Sequence, residues 1–541
     1  MSQPPITSTA MRACMTGYAA LLGLFVAQAS DRPAYDDSYF FKRFALNFLD
    51  HGVFAWNVSE GPVYGNTSQL QQLIVTAITA FTRTHSLSVL RVLLTGALLA
   101  GFAFMLAHAR RYQARDTVLL AFCSPVVLFC ALSGMETAFV LALLALFLWV
   151  LEPSAHRNSA RHWALAPSLC LLLWLARPDT LLLTVPVWCV ANLDRRRRWL
   201  QGGILIAAGV GLGLLAFRIG YGTMLPLPFY AKQRAYSPYD ADFLALSRLG
   251  AQQRFSVFVW AALPLVLIAL ARRDRPNRTL LTSALVFVLY HFFTTVDIMG
   301  MHGRFYVPAV PLLVAAASRA ERQHARARWR GVSAGLYVLL AAGLFHAQLP
   351  PVGALTADDN LTPAYYALGT LAGLAVLLTP TYGRLRPLTP AAVLLLAALC
   401  SLEGFHPVRW RLHSDRSLLA LHAARYSVFN GLEALRACFG DAIHVYHSEV
   451  GLVGLRIQHG PVTDLAGLMS PAWLFRQTSF DQACLRDLPE ALFLPHRVYT
   501  GLNQEIQHSQ CFQRYVRVVE KSSSPLHVRA DLYPRFLACA K

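Results

Sequence analysis

Residues 16–30 read TGYAALLGLFVAQAS, and residues 35–39 read YDDSY. The first stretch is apolar and uncharged and predicts a membrane helix, so the adjacent carboxylates of Asp36 and Asp37 are expected at the membrane surface. Paired acids beside a lipid-facing helix add nothing to packing, because taking a charge out of water costs free energy. The acidic pair therefore indicates chemistry at the membrane surface.

The composition of the whole chain indicates a polytopic membrane protein. Of its 541 residues, 55% are hydrophobic and 14% charged, and the mean hydropathy is +0.42. A soluble core does not hide that much apolar surface. The net charge of +19 is spread over short clusters between apolar stretches, so it is a topology signal, and no nucleic-acid partner is expected.

About thirteen stretches meet the length and apolarity of a membrane span. They begin near residues 11, 90, 116, 136, 162, 180, 199, 255, 279, 304, 331, 363 and 387. Basic clusters fall between alternate pairs of spans: Arg110-Arg111 with Arg115, Arg157 with Arg161, Arg195–Arg198, Arg272–Arg278, Arg319–Arg330 and Arg384 with Arg386. The positive-inside rule then predicts a cytoplasmic N-terminus and an exported segment after residue 405.

Because the basic clusters occupy every second loop, the polar clusters of the other loops are predicted on the outward side, where we expect them to line one cavity.

The first span matches a signal peptide weakly, but we expect a retained helix because its loss would leave the acidic loop unanchored. The apolar residues between Tyr39 and Phe54 recur at helical spacing and predict an amphipathic helix in the outer interface. Leu70–Phe81 is too short to span and is expected to be re-entrant or interfacial.

Short motifs at the predicted outward helix ends resemble those of the GT-C superfamily of polyprenyl-phosphate-sugar-dependent glycosyltransferases. The resemblance is closest to arabinofuranosyltransferases of the mycobacterial cell-wall type. It rests on Tyr35–Tyr39, Tyr64–Ser68, Ser133–Thr137, Arg177–Asp179, Tyr221–Pro226 with Phe229–Lys232, Asp297–Phe305, and Glu449–Gly451 followed by Thr463–Leu468. Leu227 stands where that family usually has Asn, which leaves the donor sugar open.

The resemblance implies a polytopic all-α membrane protein of about thirteen helices, GT-C-like, with a small exported C-terminal α/β domain. The catalytic domain would comprise residues 1–404, with an outward first loop at 31–89, and the exported domain residues 405–541. The implied enzyme lies in the bacterial inner membrane and moves a sugar, with arabinofuranose suggested, from a polyprenyl phosphate to a surface glycan, lipid or protein. No nucleotide sugar, cofactor or metal is expected.

Transfer from a lipid phosphate needs a base for the acceptor hydroxyl and cations for the departing phosphate. The base is assigned to Asp36 or Asp37, which the sequence does not separate; the alternative is that both only cap the interfacial helix. The phosphate-binding candidates are Lys232, His302, Arg304 and Arg177. The sugar and acceptor candidates are Tyr64, Asn66, Ser68 and Tyr230.

Each assignment has a structural alternative. Arg177 would instead pair with Asp179 or Glu136, Lys232 and Arg304 would extend to the interface, and His302 would be an ordinary turn residue. Tyr64–Ser68 fits a plain turn. Glu136 opens a helix, where a carboxylate offsets the helix dipole, and is interpreted as structural.

The exported segment contains four cysteines, Cys438, Cys484, Cys511 and Cys539, for which two disulfides in any of three pairings are expected. Strands are predicted at Ile443–Tyr446 and Val450–Ile457, and a helix at Leu418–Cys438. His447 and Glu449 would form a metal site only if the chain turned there.

Two other classes remain open. A lipid-linked sugar flippase predicts charges near the membrane midplane, broken helices and an internal repeat, and the sequence shows none of these clearly. A ligase or polymerase of lipid-linked glycans shares the topology, and the early acidic pair argues against it.

Overall fold

The structure is a computed structural model. It describes residues 8–29, 36–83, 87–112, 114–122, 125–152, 160–231, 258, 262–263, 265–270, 272–294, 303–321, 431–448, 450–475, 477–495, 499–518 and 525–539.

The chain divides into two compact units. The first, here the bundle unit, comprises Met1–Arg32, Leu87–Gly211 and Gly250–Leu412. The second, here the mixed unit, comprises Pro33–Ser86, Leu212–Leu249 and His413–Lys541. The boundary predicted near residue 405 lies outside the described residues and stays a prediction.

The helices, in chain order, are α1 (Ser8–Ala29), α2 (Asp36–His51), α3 (Gln69–Thr82), α4 (Ser88–Ala109), α5 (Arg115–Phe122), α6 (Pro125–Leu132), α7 (Thr137–Leu151), α8 (Ala160–Ala176), α9 (Leu181–Asn192), α10 (Arg196–Tyr221), α11 (Leu227–Ala231), α12 (Arg275–Thr294), α13 (Val310–Glu321), α14 (Gly451–Arg456), α15 (Pro471–Leu474), α16 (Phe480–Asp487), α17 (Thr500–Gln507) and α18 (Tyr533–Cys539). Residues 431–439 are also helical. The strands are β1 (Val445–His447), β2 (Val462–Asp464), β3 (Ala491–Phe493), β4 (Tyr515–Arg517) and β5 (Leu526–Arg529).

Helix α7 is central to the bundle unit. It is apolar on nearly every side, as a helix surrounded by other helices must be, and most of its side chains are buried. It packs against α4, where Gly101 permits close approach: a Cβ at Gly101 would lie 3.0 Å from Ala142 Cα. A larger residue at Gly101 would force the two helices apart.

Among the described residues, two helices are long and apolar enough to cross a membrane, Ser88–Tyr112 and Arg196–Tyr221. Three shorter apolar helices are Thr137–Leu151, Ala164–Ala176 and Val307–Ala320. The count of thirteen spans stays a prediction, and the spans predicted near 331, 363 and 387 lie outside the described residues. The span predicted near residue 116 is two short helices, α5 and α6, with Pro125 opening the second because proline lacks the N–H that a helix interior needs.

The mixed unit contains a five-stranded sheet of order β2-β1-β3-β5-β4. Strands β2, β1 and β3 are parallel, and the pairs of β5 with β3 and β4 are antiparallel. Phe44 of α2 and Trp56 lie in one apolar core with Val453, Ile457 and Met469. The first loop and the C-terminal segment, about 400 residues apart in sequence, therefore share a core.

Two strand predictions for the mixed unit need correction, and one helix prediction is confirmed in its described part. Val450–Ile457 was predicted as a strand but contains helix α14; a short apolar run with two glycines fits either state. The strand predicted at Ile443–Tyr446 is found at Val445–His447. The helix predicted at Leu418–Cys438 is present over residues 431–439, and its earlier part lies outside the described residues.

A helix is present where the amphipathic helix was predicted, but three of its polar residues are buried, while Asp50 near its end is exposed. Lys42, Arg43 and Asn47 are 1%, 4% and 7% exposed, whereas Phe48 is 36% exposed. Polar groups enter the protein interior because acceptors await them there: Lys42 Nζ donates to Thr79 Oγ1 at 3.0 Å, and Asn47 Nδ2 to Ala55 O at 2.8 Å. The polar residues Lys42, Arg43 and Asn47 therefore do not form the exposed side of an amphipathic helix, and the place of α2 in the outer interface stays a prediction.

Both expected disulfides are present, and their pairing is Cys438–Cys539 and Cys484–Cys511. The first joins the helical residues 431–439 to α18, and the second joins α16 to the turn after α17. Cys14, Cys130 and Cys170 are buried and belong to neither disulfide, and a buried thiol packs as a small apolar residue.

Candidate functional site

The acidic pair opens α2. Asp36 is the first residue of the helix, and the Asp37 side chain is half-buried. The N-terminus of a helix carries partial positive charge, which stabilises an ionised carboxylate by about 0.3–1 kcal/mol. An ionised carboxylate is also the form a general base needs.

The turn at Tyr64–Ser68 leads into α3. Ser68 is the N-cap of α3, where its Oγ accepts a hydrogen bond from Gln71 N at 3.2 Å. Asn66 Nδ2 donates to Gln72 Oε1 at 2.6 Å, and Gln72 Nε2 donates to Phe41 O of α2 at 3.0 Å. The predicted sugar-binding side chains of this turn are therefore also part of the contact between α2 and α3.

Gly65 lies against side chains that leave no room for a larger residue. A Cβ at Gly65 would lie 2.3 Å from Met469 Sδ and 3.0 Å from Phe44 Cζ. Met469 is itself held by Asp464, whose Oδ2 accepts from Met469 N at 2.8 Å, while Oδ1 accepts from Ala466 N at 2.8 Å. The Thr463–Leu468 motif thus forms the turn that holds Met469 against the first loop.

Burial raises the pKa of Asp464 to about 7, although the surrounding backbone N–H groups act in the opposite direction. Tyr64 is buried and stacks on Tyr221 at 5.1 Å between ring centroids. Burial raises the pKa of its hydroxyl, with Tyr221 adding to the shift. Tyr64 is therefore neutral at physiological pH.

Tyr230 and Leu227 belong to α11 of the mixed unit. Leu227 N donates to Tyr64 O at 2.8 Å, so this position is a backbone partner of the Tyr64 turn. The ring of Tyr230 meets Phe475 edge to face at 5.7 Å between centroids. Lys232 lies outside the described residues.

In the bundle unit, Arg177, Asp179 and His291 form one polar cluster. Arg177 Nε lies 3.0 and 2.9 Å from the two oxygens of Asp179, and His291 Nε2 lies 2.7 Å from Asp179 Oδ2. Because a carboxylate only accepts, Nε2 of His291 carries the proton in this contact. Burial raises the pKa of Asp179, but the positive charges of Arg177 and His291 outweigh it and bring the pKa to about 2.

Phe305 joins this cluster to a second arginine. The guanidinium carbons of Arg177 and Arg304 lie 5.5 and 5.3 Å from the centre of the Phe305 ring, and the imidazole of His291 stacks on the ring at 5.8 Å. All three are nearly fully buried. Two of the four predicted phosphate-binding residues thus meet at one aromatic ring, while His302 lies outside the described residues.

Glu136 lies at the N-terminus of α7, beside Arg177. Its Oε1 is 3.8 Å from Arg177 Nη1. Among the described residues, neither Glu136 Oε2 nor Arg177 Nη1 has a hydrogen-bond partner, although both atoms are buried. The pairing of Arg177 with Asp179 and Glu136, considered above as the structural alternative, is present, yet hydrogen-bonding capacity remains.

His291 is the residue of this cluster that sequence reasoning missed. It stands in the last turn of an apolar helix, and its partners Asp179 and Arg177 lie more than 110 residues earlier. The available signal was a histidine in the last turn of an apolar helix, at the end predicted to lie on the outward side. In the part of the chain that the structure describes, no group of three His, Cys, Asp or Glu residues could hold a metal ion.

The fold defined by these helices is shared with solved structures. Two crystal structures of ArnT from Cupriavidus metallidurans are similar to this chain: one bound to undecaprenyl phosphate, with a TM-score of 0.57, 14% identity, and 96% of this chain and 98% of that chain covered; and one in the apo state, with a TM-score of 0.58, 14% identity, and 97% and 99% covered. No family model and no curated protein matches. The likeness shows that this chain has a mostly helical, ArnT-like fold.

Proposed function

We propose that this protein is a membrane glycosyltransferase of GT-C type that moves a sugar from a polyprenyl-phosphate donor to an acceptor outside the cytoplasm. The observation that carries the proposal is the ArnT-like fold over almost the whole chain, because one of the similar structures contains undecaprenyl phosphate. The motifs that resemble the GT-C superfamily support the same activity. Arabinofuranose is the sugar that the sequence resemblance suggests, and a surface glycan, lipid or protein is the acceptor.

The proposed reaction uses one base and several cations. Asp36 or Asp37 takes the proton of the acceptor hydroxyl, the hydroxyl oxygen forms a bond to the anomeric carbon, and the bond from that carbon to the phosphate oxygen breaks. The polyprenyl phosphate leaves with the electron pair, and arginine and lysine side chains compensate its charge. Its phosphate is a good leaving group, so the chemistry requires no general acid.

We assign phosphate binding to Arg177 and Arg304, together with Lys232 and His302. Arg177 Nη1 supports this role because it is buried and has no hydrogen-bond partner among the described residues. A guanidinium donates two parallel hydrogen bonds to phosphate, which a lysine cannot do. Tyr64, Asn66, Ser68 and Tyr230 are assigned to the sugar or the acceptor.

The two disulfides support the proposed location. Disulfides persist in oxidising compartments and are rare in the cytoplasm, and all four bonded cysteines lie after residue 430. We therefore propose a multi-pass protein of a bacterial inner membrane, with a cytoplasmic N-terminus and a periplasmic C-terminal segment.

The test is transfer of labelled sugar from synthetic polyprenyl-phosphate donors by the purified protein in lipid nanodiscs. Asp36→Asn and Asp37→Asn are compared with Asp50→Asn, a control in the same helix whose side chain is exposed and only 3.8 Å from Arg83. We expect wild type and Asp50→Asn to turn over one donor and at least one of the other variants to lose activity by about 10²- to 10⁴-fold. If wild type turns over no donor, or both variants keep full turnover, the proposal fails and a lipid-linked sugar flippase becomes the favoured function.

A further inference from the structure

Arg43 of α2 enters the C-terminal segment of the mixed unit. Its Nη1 donates to the carbonyl oxygens of Gly454 and Ile457, and its Nη2 donates to Gly460 O at 3.1 Å. These three carbonyls belong to α14 and the chain that follows it, more than 400 residues away in sequence. One side chain of the first loop therefore fixes the position of residues 454–460.

The same guanidinium binds the end of the first loop. Arg43 Nε donates to Trp56 O at 2.7 Å, and Nη2 donates to Asn57 Oδ1 at 3.1 Å. All five N–H groups of Arg43 thus have acceptors. The acceptors are four backbone carbonyl oxygens and the side-chain oxygen of Asn57. The buried charge of Arg43 is therefore stabilised only while these backbone segments keep their positions.

Trp56 and Asn57 continue the contact to strand β2. Trp56 Nε1 and Asn57 Nδ2 both donate to Val462 O, at 2.7 and 3.1 Å, and Val462 N donates to Asn57 Oδ1 at 2.9 Å. The Trp56 ring also lies under the guanidinium of Arg43, 4.7 Å from its central carbon.

Gly454 is required for this packing. A Cβ at Gly454 would lie 2.2 Å from Cη2 and 2.5 Å from Cζ2 of Trp56, and 3.1 Å from Cδ of Arg43. Real Cβ atoms do not approach other atoms so closely, so any larger residue displaces Trp56, Arg43 or α14 itself.

Arg43 lies seven residues after Asp36, which is about 10 Å along a helix. A helix is stiff over two turns, so a shift of Arg43 moves the acidic pair with it. Misplacing a reacting group by 1 Å costs on the order of 10²-fold in rate. The bonds that hold Arg43 therefore also determine the position of the first turn of α2.

We propose that Arg43 is a positioning residue through which the C-terminal segment, at residues 454–462, holds the helix that carries the acidic pair in its working position. This inference rests on the proposed function for its catalytic part. The C-terminal segment then acts on the chemical step, in addition to any role in acceptor binding. Loss of the hydrogen bonds between Arg43 and the C-terminal segment is expected to lower kcat with little change in the KM for the donor.

The test compares Gly454→Ala with Gly501→Ala, a control in the same unit where an added Cβ meets nothing within 4 Å. Hydrogen exchange of the α2 amides is measured on folded, monodisperse protein, together with kcat and the donor KM. For Gly454→Ala we expect at least tenfold faster exchange in α2 and a 10- to 100-fold lower kcat, with the donor KM within twofold of wild type. Gly501→Ala is expected to match wild type in every measurement.

Arg43→Lys provides a second variant if Gly454→Ala does not fold. It keeps the charge but supplies three N–H donors instead of five, and it should show the same exchange and kcat changes. Unchanged exchange in α2, or a loss that appears only in the donor KM, overturns the inference. If wild type turns over no donor, the proposed function fails separately, and the exchange measurement still decides whether Arg43 anchors α2.

Discussion

The two ends of helix α7 carry the same kinds of polar group but differ in how the glutamate is bound. Each end has a glutamate, an arginine and a histidine: Glu136, Arg177 and His291 at the first end, and Glu152, Arg319 and His108 at the second. The helix has 15 residues, so the two ends are separated by roughly 22 Å.

At the Glu152 end, both carboxylate oxygens have partners. Tyr112 donates its hydroxyl to Oε1, while His108 Nδ1 and Arg319 Nη1 lie 3.4 and 3.7 Å from Oε2. Asp274 extends the network, since its Oδ2 lies 4.0 Å from Arg319 Nη2 and its Oδ1 accepts from Asn277 N at 2.9 Å. This end ties α4, α7, α12 and α13 together.

At the Glu136 end, the pairing is incomplete. Asp179 is bound by Arg177 and His291, but Glu136 Oε2 and Arg177 Nη1 have no hydrogen-bond partner among the described residues. A buried polar group without a partner costs free energy and is found mainly where a ligand or water completes it. At the Glu152 end the buried atoms without a hydrogen-bond partner among the described residues are His108 Nδ1, His108 Nε2 and Arg319 Nε. The two ends therefore differ in how the glutamate is bound and not in the number of unpaired atoms, and Arg177 Nη1 stays available for the proposed phosphate site.

The largest expected effect separates the two glutamates. Glu152→Gln should lower the free energy of unfolding by about 2–4 kcal/mol, because it removes the charge that compensates partly buried Arg319 and leaves the Tyr112 hydroxyl with a weaker acceptor. Glu136→Gln should change the free energy of unfolding by less than about 1 kcal/mol. Arg177 remains paired with Asp179 in this variant, and Glu136 Oε2 has no hydrogen bond to lose among the described residues. Titration with SDS in mixed micelles measures both, and equal losses would contradict the distinction.

A smaller effect is expected at the two histidines. His291→Leu should cost about 1–2 kcal/mol, because it removes a hydrogen bond to the ionised carboxylate of Asp179. His108→Leu should stay within about 0.5 kcal/mol of wild type, because neither ring nitrogen of His108 has a hydrogen bond among the described residues. The same titration measures them; a larger loss for His108→Leu would show that its 3.4 Å contact with Glu152 carries more energy than the pattern suggests.

The sequence was informative where the signal was local. Apolar stretches of span length predicted helices that the bundle unit contains, and α2 begins at the acidic pair, where the alternative interpretation placed the two acids as N-terminal caps. The Arg177–Asp179 pairing followed from two residues of spacing. Four cysteines in the exported segment predicted two disulfides. Their pairing depends on which cysteines lie close together in the fold, and the sequence spacing does not determine that.

The sequence failed where long-range contacts override local pattern. Lys42 and Arg43 between phenylalanines resemble an exposed polar stripe, and only acceptors from distant segments make their burial favourable. His291 has no sequence neighbour that marks it. Residues 450–457 form a short apolar run with two glycines that fits strand or helix, and packing against Trp56 and Arg43 favours the helix.

The measurement that tests the account most directly is the affinity of the protein for undecaprenyl phosphate in nanodiscs, for wild type, Arg177→Lys and Arg319→Lys. Both variants keep the positive charge and lose the planar guanidinium. They differ only in whether the change lies at the Glu136 end or at the Glu152 end of α7. The account predicts that Arg177→Lys weakens binding at least tenfold, which is about 1.4 kcal/mol, while folded Arg319→Lys binds like wild type. Equal affinity for all three proteins, or weaker binding by Arg319→Lys alone, would contradict it.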